Sequence, residues 1–339
     1  MDIEIKKDIY DEISNLLKEA RKSIVSNINT TMTKTYFLIG KRIVEEEQNG
    51  NERATYGKNL IKNLSKKLTN EFGKGFSERN IEQMRKFYKT YSIPQTLSAE
   101  FKLSWSHYLI LMRMENIEER NFYEIESIQN NWSLRELRRQ IDSALYERLV
   151  LSRDKAKVKE LAFKGQVIEK SEDVVKDPYI LEFLGLEEQS NYSENKLETE
   201  IINNLEKFLL ELGKGFTFVG RQVRFTFDEK HFRVDLVFYN RILKCFVLID
   251  LKIGEVTHQD LGQMQMYVNY YDRYVRLPDE NKSIGIIICR EKNDTLVKLT
   301  LPEDNNQIFA SKYMTVLPSK EELKKVLDKE YNNGGNSDD

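Results

Sequence analysis

The sequence predicts an α+β protein of two domains, an all-α N-terminal domain followed by an α/β domain whose mixed central sheet is flanked by helices. Three observations lead there. Over residues 1–150, apolar side chains recur at intervals of three and four, the period of a helix face. Beyond residue 195, two runs rich in Val, Ile, Leu and Phe, FRVDLVFYN and CFVLIDLKIG, are joined by the short polar RILK, the pattern of a β-hairpin. The chain has 339 residues, enough for two hydrophobic cores.

From Asp8 to Glu47, Ile9, Ile13, Leu16, Leu17 and Ala20 form one helical stripe, and Tyr36, Phe37, Ile39, Ile43 and Val44 extend a second. QNGNERATYG interrupts it, with Gly50 as the stop. Leu60 to Phe72 is a short basic helix, followed by Gly73-Lys74-Gly75 and by Ser77 as N-cap of the next helix. Helix, glycine turn, helix is the outline of a helix-turn-helix. Its second helix carries Arg79, Asn80, Arg85 and Lys86, side chains of the kinds that read base edges or hold phosphates. A solvated basic face explains the same residues. Pro94 ends that helix, and His107, between Trp105 and Tyr108, reads as a packed or capping side chain. Ser133 with Glu136 fits a capping box. In RELRRQIDSALYERL the stripe Leu134, Leu137, Ile141, Leu145 turns the arginines toward water.

Residues 151–194 read as a charged linker with a docking element at Asp177-Pro178-Tyr179, and the second domain spans 195–330. Its first helix runs along Leu197, Ile201, Leu205, Phe208 and Leu212 to Gly213. Phe216 to Phe227 is the first core strand, with a bulge or close approach at Gly220. There Arg221 and Gln222 either hold phosphate, orient a carboxylate or serve structure alone. After the hairpin, Asp260 to Tyr274 is a helix, with Gly262 packed closely on the sheet and Gln263 and Tyr267 on one face. SIGIIIC, Ser283 to Cys289, is a strand buried on both faces, and Leu296 to Leu301 is expected to add an edge. Residues 331–339 have a disordered composition.

Lys and Arg total 53 against 55 Asp and Glu, so a basic surface, if present, is local. Cys245 and Cys289 lie in apolar runs and read as reduced core residues. No signal segment or run near the ~20 residues of a membrane span is present, which points to the cytoplasm and to no membrane partner. Walker-type, HExxH, GxSxG and dinucleotide motifs are absent.

The chemistry concentrates in the hairpin. Alternation puts Asp250 and Lys252 on one face, against Val247, Ile249, Leu251 and Ile253. On the preceding strand Asp235 faces with Arg233 and Val237, opposite Val234, Leu236 and Phe238. Two carboxylates and an ammonium then converge on a mostly apolar sheet. Burying such charges is costly unless they pair or bind metal. A structural ion pair satisfies that condition. So does a Mg²⁺ site of carboxylate oxygens, with Lys252 orienting or deprotonating water or stabilising charge on phosphorus.

Asp235, followed by Asp250-Leu251-Lys252 on the next strand, resembles the signature of the PD-(D/E)xK nucleases, with Val234 where a proline is usual. With FLLELGKGFTFVGRQVRF, IDLKIG, GQMQMYVNYYD and IGIIICREKND around it, the chain resembles the YhcG-like family of bacterial proteins. The resemblance implies a winged-helix or helix-turn-helix-like N-terminal domain and a restriction-endonuclease-like core. It implies Mg²⁺-dependent hydrolysis of DNA, with Mn²⁺ expected to substitute, in bacterial defence or mobile-element recombination. Asp235, Asp250 and the Leu251 carbonyl would hold the metal, Lys252 would position water, and Gln263 would support the lysine. Glu198 would join the metal site, although an ordinary first-turn helix acid reads the same way. Homodimers or higher homo-oligomers and defence-system protein partners are further expectations. The alternative is a non-catalytic nucleic-acid- or protein-binding subunit on a nuclease fold.

Overall fold

The computed structural model of the chain describes residues 7–49, 54–92, 101–151, 155–187, 192–227 and 229–317. They form two compact units, one ending at Leu137 and the other beginning at Arg138. The readings of Gly50, Pro94 and the tail 331–339 lie outside the described residues. Among the described residues no helix is long and apolar enough to cross a membrane.

The first unit is helical: α1 (Lys7–Asn49), α2 (Ala54–Phe72), α3 (Glu78–Tyr91), α4 (Trp105–Leu111) and α5 (Ile117–Gln129), with α6 (Leu134–Asp142) carrying the boundary. Its core is centred on Phe87, whose ring lies 4.9–5.6 Å from those of Phe37, Phe101, Trp105 and Tyr108. Helices α1 and α3 cross at Gly40, where a Cβ would sit 2.0 Å from the Met84 carbonyl oxygen. The expected stripe Ile9, Ile13, Leu16, Leu17 is helical, but it stays exposed.

A single 3-10 turn, Lys74–Phe76, links α2 to α3, and Ser77 caps α3 by accepting from the Asn80 amide at 3.4 Å. His107 is packed as the sequence predicts, its ring nitrogens 2.7 Å from Ser104 Oγ and 3.0 Å from the Trp132 carbonyl oxygen. The Ser133–Glu136 capping box also forms.

The second unit adds α7 (Leu145–Leu151), α8 (Lys155–Lys164), α9 (Glu194–Asn203), α10 (Leu205–Leu212), α11 (His258–Tyr270) and α12 (Asp294–Thr300). Its strands are β1 (Tyr179–Ile180), β2 (Phe216–Phe227), β3 (Lys230–Asn240), β4 (Cys245–Glu255), β5 (Ile284–Glu291) and β6 (Ile308–Met314). They form one mixed sheet in the order β1-β6-β5-β4-β3-β2, antiparallel from β2 to β4 and parallel from β4 to β1. One face packs Leu236, Phe238, Val247, Ile249 and Leu251 against Leu197, Ile201 and Phe208 of α9 and α10. The other packs Val237, Leu248 and Ile287 against Leu261, Met264 and Val268 of α11.

Several expectations are corrected. The arginines of α6 and α7 do not all face water. Arg148 is fully buried, its Nη1 donating to Glu211 Oε1 at 2.6 Å, and Arg139 donates to Glu182 and Glu211. Glu211 Oε1 also accepts from the Ile180 amide, so the element around Tyr179 packs within the second unit. The helix expected from Leu197 to Leu212 is two helices. It breaks at Asn204, whose amide Nδ2 takes the Glu200 carbonyl oxygen at 3.1 Å.

Leu296–Leu301 is not an edge strand. It lies in and just after α12, capped by Asn293 accepting from the Leu296 amide, and the sheet is extended by β6 and β1 instead. Helix α11 spans His258–Tyr270 and continues into one wider π turn, Tyr271–Val275. A Cβ at Gly262 meets nothing within 4 Å, so that glycine is not the close approach. Gly285 of β5 is: a Cβ there would lie 2.6 Å from Met264 Sδ.

Candidate active site

The β3–β4 hairpin is closed by Asn240, whose Oδ1 accepts from the Ile242 and Leu243 amides at 3.0 and 3.1 Å. The register pairs Leu236 with Ile249 and stops there. In place of the next ladder bond, Asp235 Oδ2 accepts from the Leu251 amide at 2.9 Å. The pleat breaks at the same point. Val234 and Val237 share one core cluster while Leu236 and Phe238 belong to the other, which corrects the strict alternation read from sequence. Leu251 meets Asp235 through its N–H, while its ladder partner is Ile288 of β5.

β2 is shaped to meet this break. A register shift falls between Phe218 and Gly220, and Gln222 sits at φ 49°, the left-handed region that side chains other than glycine rarely occupy. Such a backbone persists where its surroundings hold it. Here the Gln222 amide Nε2 donates to Glu198 Oε2 at 2.6 Å and to Asp235 Oδ1 at 3.0 Å. The carboxamide thus bridges two carboxylates contributed by α9 and β3. Arg221 Nε stands 3.4 Å from Glu198 Oε1.

On β4, Asp250 Oδ2 lies 2.9 Å from Lys252 Nζ, and Lys252 is also 3.7 Å from Asp260 Oδ1 and 3.9 Å from Glu194 Oε2. Asp260 is in turn fixed by the capping box it forms with Thr257 at the start of α11. Glu194 and Asp260 are site neighbours that sequence reading missed. Only the fold brings the first turns of α9 and α11 to one strand end.

The electrostatics follow from burial. The Asp250 carboxyl is pushed up to about 7, first by burial and then by the charge of Asp235, with Lys252 opposing. Burial and then Asp235 also raise Glu198, against the pull of Gln222. For Lys252, burial acts to lower the value, but Asp250, Glu194 and Asp260 outweigh it and hold the group above the ordinary lysine range. With these carboxylates around it Lys252 is an ammonium, suited to donating hydrogen bonds.

Whether these residues fit a cation is decided by their unsatisfied oxygens. Glu198 Oε1 is buried without a hydrogen-bond donor, 3.4 Å from Arg221 Nε, and Asp250 Oδ2 is buried with the Lys252 ammonium at 2.9 Å. Buried acceptors in that state are costly, and a divalent ion on hard oxygen donors is one way to satisfy them. The donor set fits Mg²⁺ or Mn²⁺. Among the described residues no three His, Cys, Asp or Glu side chains surround one point, and Gln222 bridges Glu198 and Asp235.

The remaining expected residues are placed as follows. Gln263 is exposed and donates through Nε2 to the hydroxyl of buried Tyr267, and the hydroxyl feels the charges of Asp250 and Asp235. In the first unit, Asn80 Nδ2 holds the Gly75 carbonyl oxygen at 3.1 Å and Arg85 Nη1 holds Glu47 Oε1 at 2.7 Å. Arg79 and Lys86 are exposed. Two further arginines emerge from the register. Arg224 and Arg233 are direct cross-strand partners on β2 and β3, both exposed, with no ion-pair partner among the described residues. Like charges placed opposite each other cost stability. The alternation in RQVRF and FRVDL is visible in sequence, but their pairing depends on the bulge.

Residues 172–328 match the family model described as the YhcG PDDEXK nuclease domain, and residues 12–148 match the DUF1016 N-terminal domain. A relative from Escherichia coli (strain K12), "Putative nuclease YhcG", is 40% identical over 347 residues, covering 94% of this chain and 92% of the relative. Among solved structures, a repair endonuclease from Pyrococcus abyssi aligns over 37% of this chain and 49% of its own, at 18% identity and a TM-score of 0.25. An EndoMS–dsDNA complex aligns over 40% and 51%, at 16% identity and a TM-score of 0.27. The chain spans about half the length of each solved structure it matches.

Proposed function

Since the chain belongs to the YhcG family, a DUF1016 N-terminal domain joined to a PDDEXK nuclease domain, we propose that it hydrolyses phosphodiester bonds of DNA with a divalent cation held by Asp235, Asp250 and Glu198. The observation that carries this reading is the group of carboxylates, Glu198, Asp235 and Asp250, that the fold gathers beside the Lys252 ammonium, with Glu198 Oε1 buried and without a hydrogen-bond donor. When bound, Mg²⁺ supplies Lewis-acid stabilisation of the charge that develops on the phosphoryl oxygens.

The protein's own groups do the rest. Lys252 donates hydrogen bonds to the attacking water or to a non-bridging phosphate oxygen, held in line by Asp250, Asp260 and Glu194. Gln222 holds the Glu198 and Asp235 carboxylates side by side, and the Leu251 amide fixes the Asp235 carboxylate plane. Arg221, Arg224 and Arg233 offer guanidinium groups to phosphates flanking the scissile one, a use that offsets the repulsion between Arg224 and Arg233. In the helical unit, Arg79 and Lys86 are exposed and offer their charges to DNA, whereas Asn80 and Arg85 are engaged with Gly75 and Glu47.

The test is cleavage of single-stranded, duplex and branched DNA in the presence of Mg²⁺ or Mn²⁺. Wild type is expected to cut, and Asp250→Asn and Lys252→Ala to lose the activity while remaining folded. One observation favours a second reading, a DNA-binding subunit without catalysis: Gln222 occupies the gap between two of the three carboxylates. No cleavage of any substrate, with DNA binding retained, would decide for that reading.

A further inference from the structure

Beside the site, between β2 and the outer face of α11, lies a cavity of about 690 Å³ that the mechanism above leaves unused. Phe225, Phe227, Tyr270 and Tyr274 supply its aromatic walls. Three of these rings belong to one near-parallel ladder. Tyr270 and Phe225 lie 4.1 Å apart at 18°, Phe225 and Phe232 5.5 Å apart at 24°, and Phe232 and Phe227 5.7 Å apart at 18°. Phe227 is 46% exposed and Tyr274 74% exposed, so both rings are open to a flat partner.

The polar lining has one sign. Gln265 and Asn269 bring carboxamides from α11 to the cavity, Arg273 adds a guanidinium, and no acidic side chain among the described residues lines it. Carboxamides both donate and accept, as the edges of nucleobases do, and a guanidinium pairs with phosphate. The cavity also adjoins the site. Phe225 meets the Tyr267 ring edge-on at 5.6 Å, and Phe232 precedes Asp235 by three residues, roughly 10 Å along the strand. A nucleotide near the scissile phosphate can reach across that distance.

We propose that this cavity binds an unpaired nucleobase of the DNA strand being cut, stacked on the Phe227 and Tyr274 rings with its edge met by Gln265 and Asn269. Duplex DNA keeps its bases stacked and out of reach of such a pocket. The substrate class is then single-stranded DNA, or junctions with unpaired nucleotides next to the cleaved bond. The assignment rests on the phosphodiesterase reading but is tested without catalysis.

The experiment measures binding of the full chain, with EDTA present, by fluorescence anisotropy. The probes are a labelled oligothymidylate, an abasic sugar-phosphate chain of the same length, and a duplex. Phe227→Ala and Tyr274→Ala remove exposed rings without opening the core. Gly262→Leu fills the cavity from a position where a Cβ meets nothing within 4 Å. Each variant is expected to weaken oligothymidylate binding about tenfold or more, the loss of one base–aromatic stack. Binding of the abasic chain and of the duplex should stay as in wild type.

Unchanged oligothymidylate affinity in all three variants would overturn the assignment, as would equal losses for oligothymidylate and duplex. Failure of the wild type to bind oligothymidylate would overturn it too, while the nuclease reading would still stand or fall on cleavage of the single-stranded, duplex and branched substrates.

Discussion

Arg233→Thr should make the protein more stable and a weaker ligand for DNA. Arg224 and Arg233 face each other across the β2–β3 ladder, both in solvent. Two guanidinium groups about 8 Å apart in water repel by about 0.5 kcal/mol, within the range of about 0.2–1 kcal/mol for cross-strand pairs. Threonine keeps a β-branched side chain in the strand, so the substitution removes the repulsion and little else. Chemical denaturation should show the gain at low ionic strength and its disappearance near 1 M salt, where the screening length falls to about 3 Å.

If Arg233 contacts a phosphate, the same change releases one fewer counterion on binding. The slope of log K against log salt, measured by anisotropy between about 50 and 200 mM, should fall in magnitude by about 0.9. Each outcome has its own failure mode. A loss of stability would mean that the arginine packs usefully against the strand, and an unchanged slope would mean that DNA does not reach this face.

Glu211→Gln should cost about 3–5 kcal/mol, since it leaves fully buried Arg148 without its counter-charge. At about 2–4 °C per kcal/mol for a unit of this size, the melting temperature falls by roughly 6–20 °C. Burial acts to raise Glu211, but Arg148, Lys176 and Arg139 prevail and pull it down to about 2 from an ordinary 4.5. Its contribution is therefore complete above pH 4.5 and lost as the pH falls toward 2, so Glu211→Gln should flatten the acid limb of a stability–pH curve. Gly285→Val should cost about 1–3 kcal/mol by driving Met264 and Val268 off β5, and should lower cleavage by shifting Tyr267 on the same helix. Glu198→Gln should reduce the dependence of melting temperature on added Mg²⁺ or Mn²⁺ while leaving the metal-free protein folded, which a thermal shift titration reads directly.

Much of this protein is written in local pattern. The hairpin, the strand positions of Asp235, Asp250 and Lys252, the Ser77 and Ser133 caps, the bulge at Gly220 and the stop at Gly213 follow from periodicity and from residues that satisfy nearby backbone groups. Such features span a few residues, so a few residues encode them.

The rest depends on register and on contacts between distant segments. The sequence turns Arg148 toward water, and only the placement of Glu211, 63 positions away, buries it. Gly262 reads as the close approach to the sheet, yet Gly285 provides it, because which glycine meets α11 depends on how β5 lies beneath that helix. Gln222 joins Glu198 to Asp235 across separations of 24 and 13 residues, through a left-handed backbone that propensity disfavours. A period of 2 or 3.6 fixes which face a side chain takes within its own element. It carries no record of which other element that face will meet, and the meeting of α9, β2, β3 and β4 is what sets three carboxylates and an ammonium against one another.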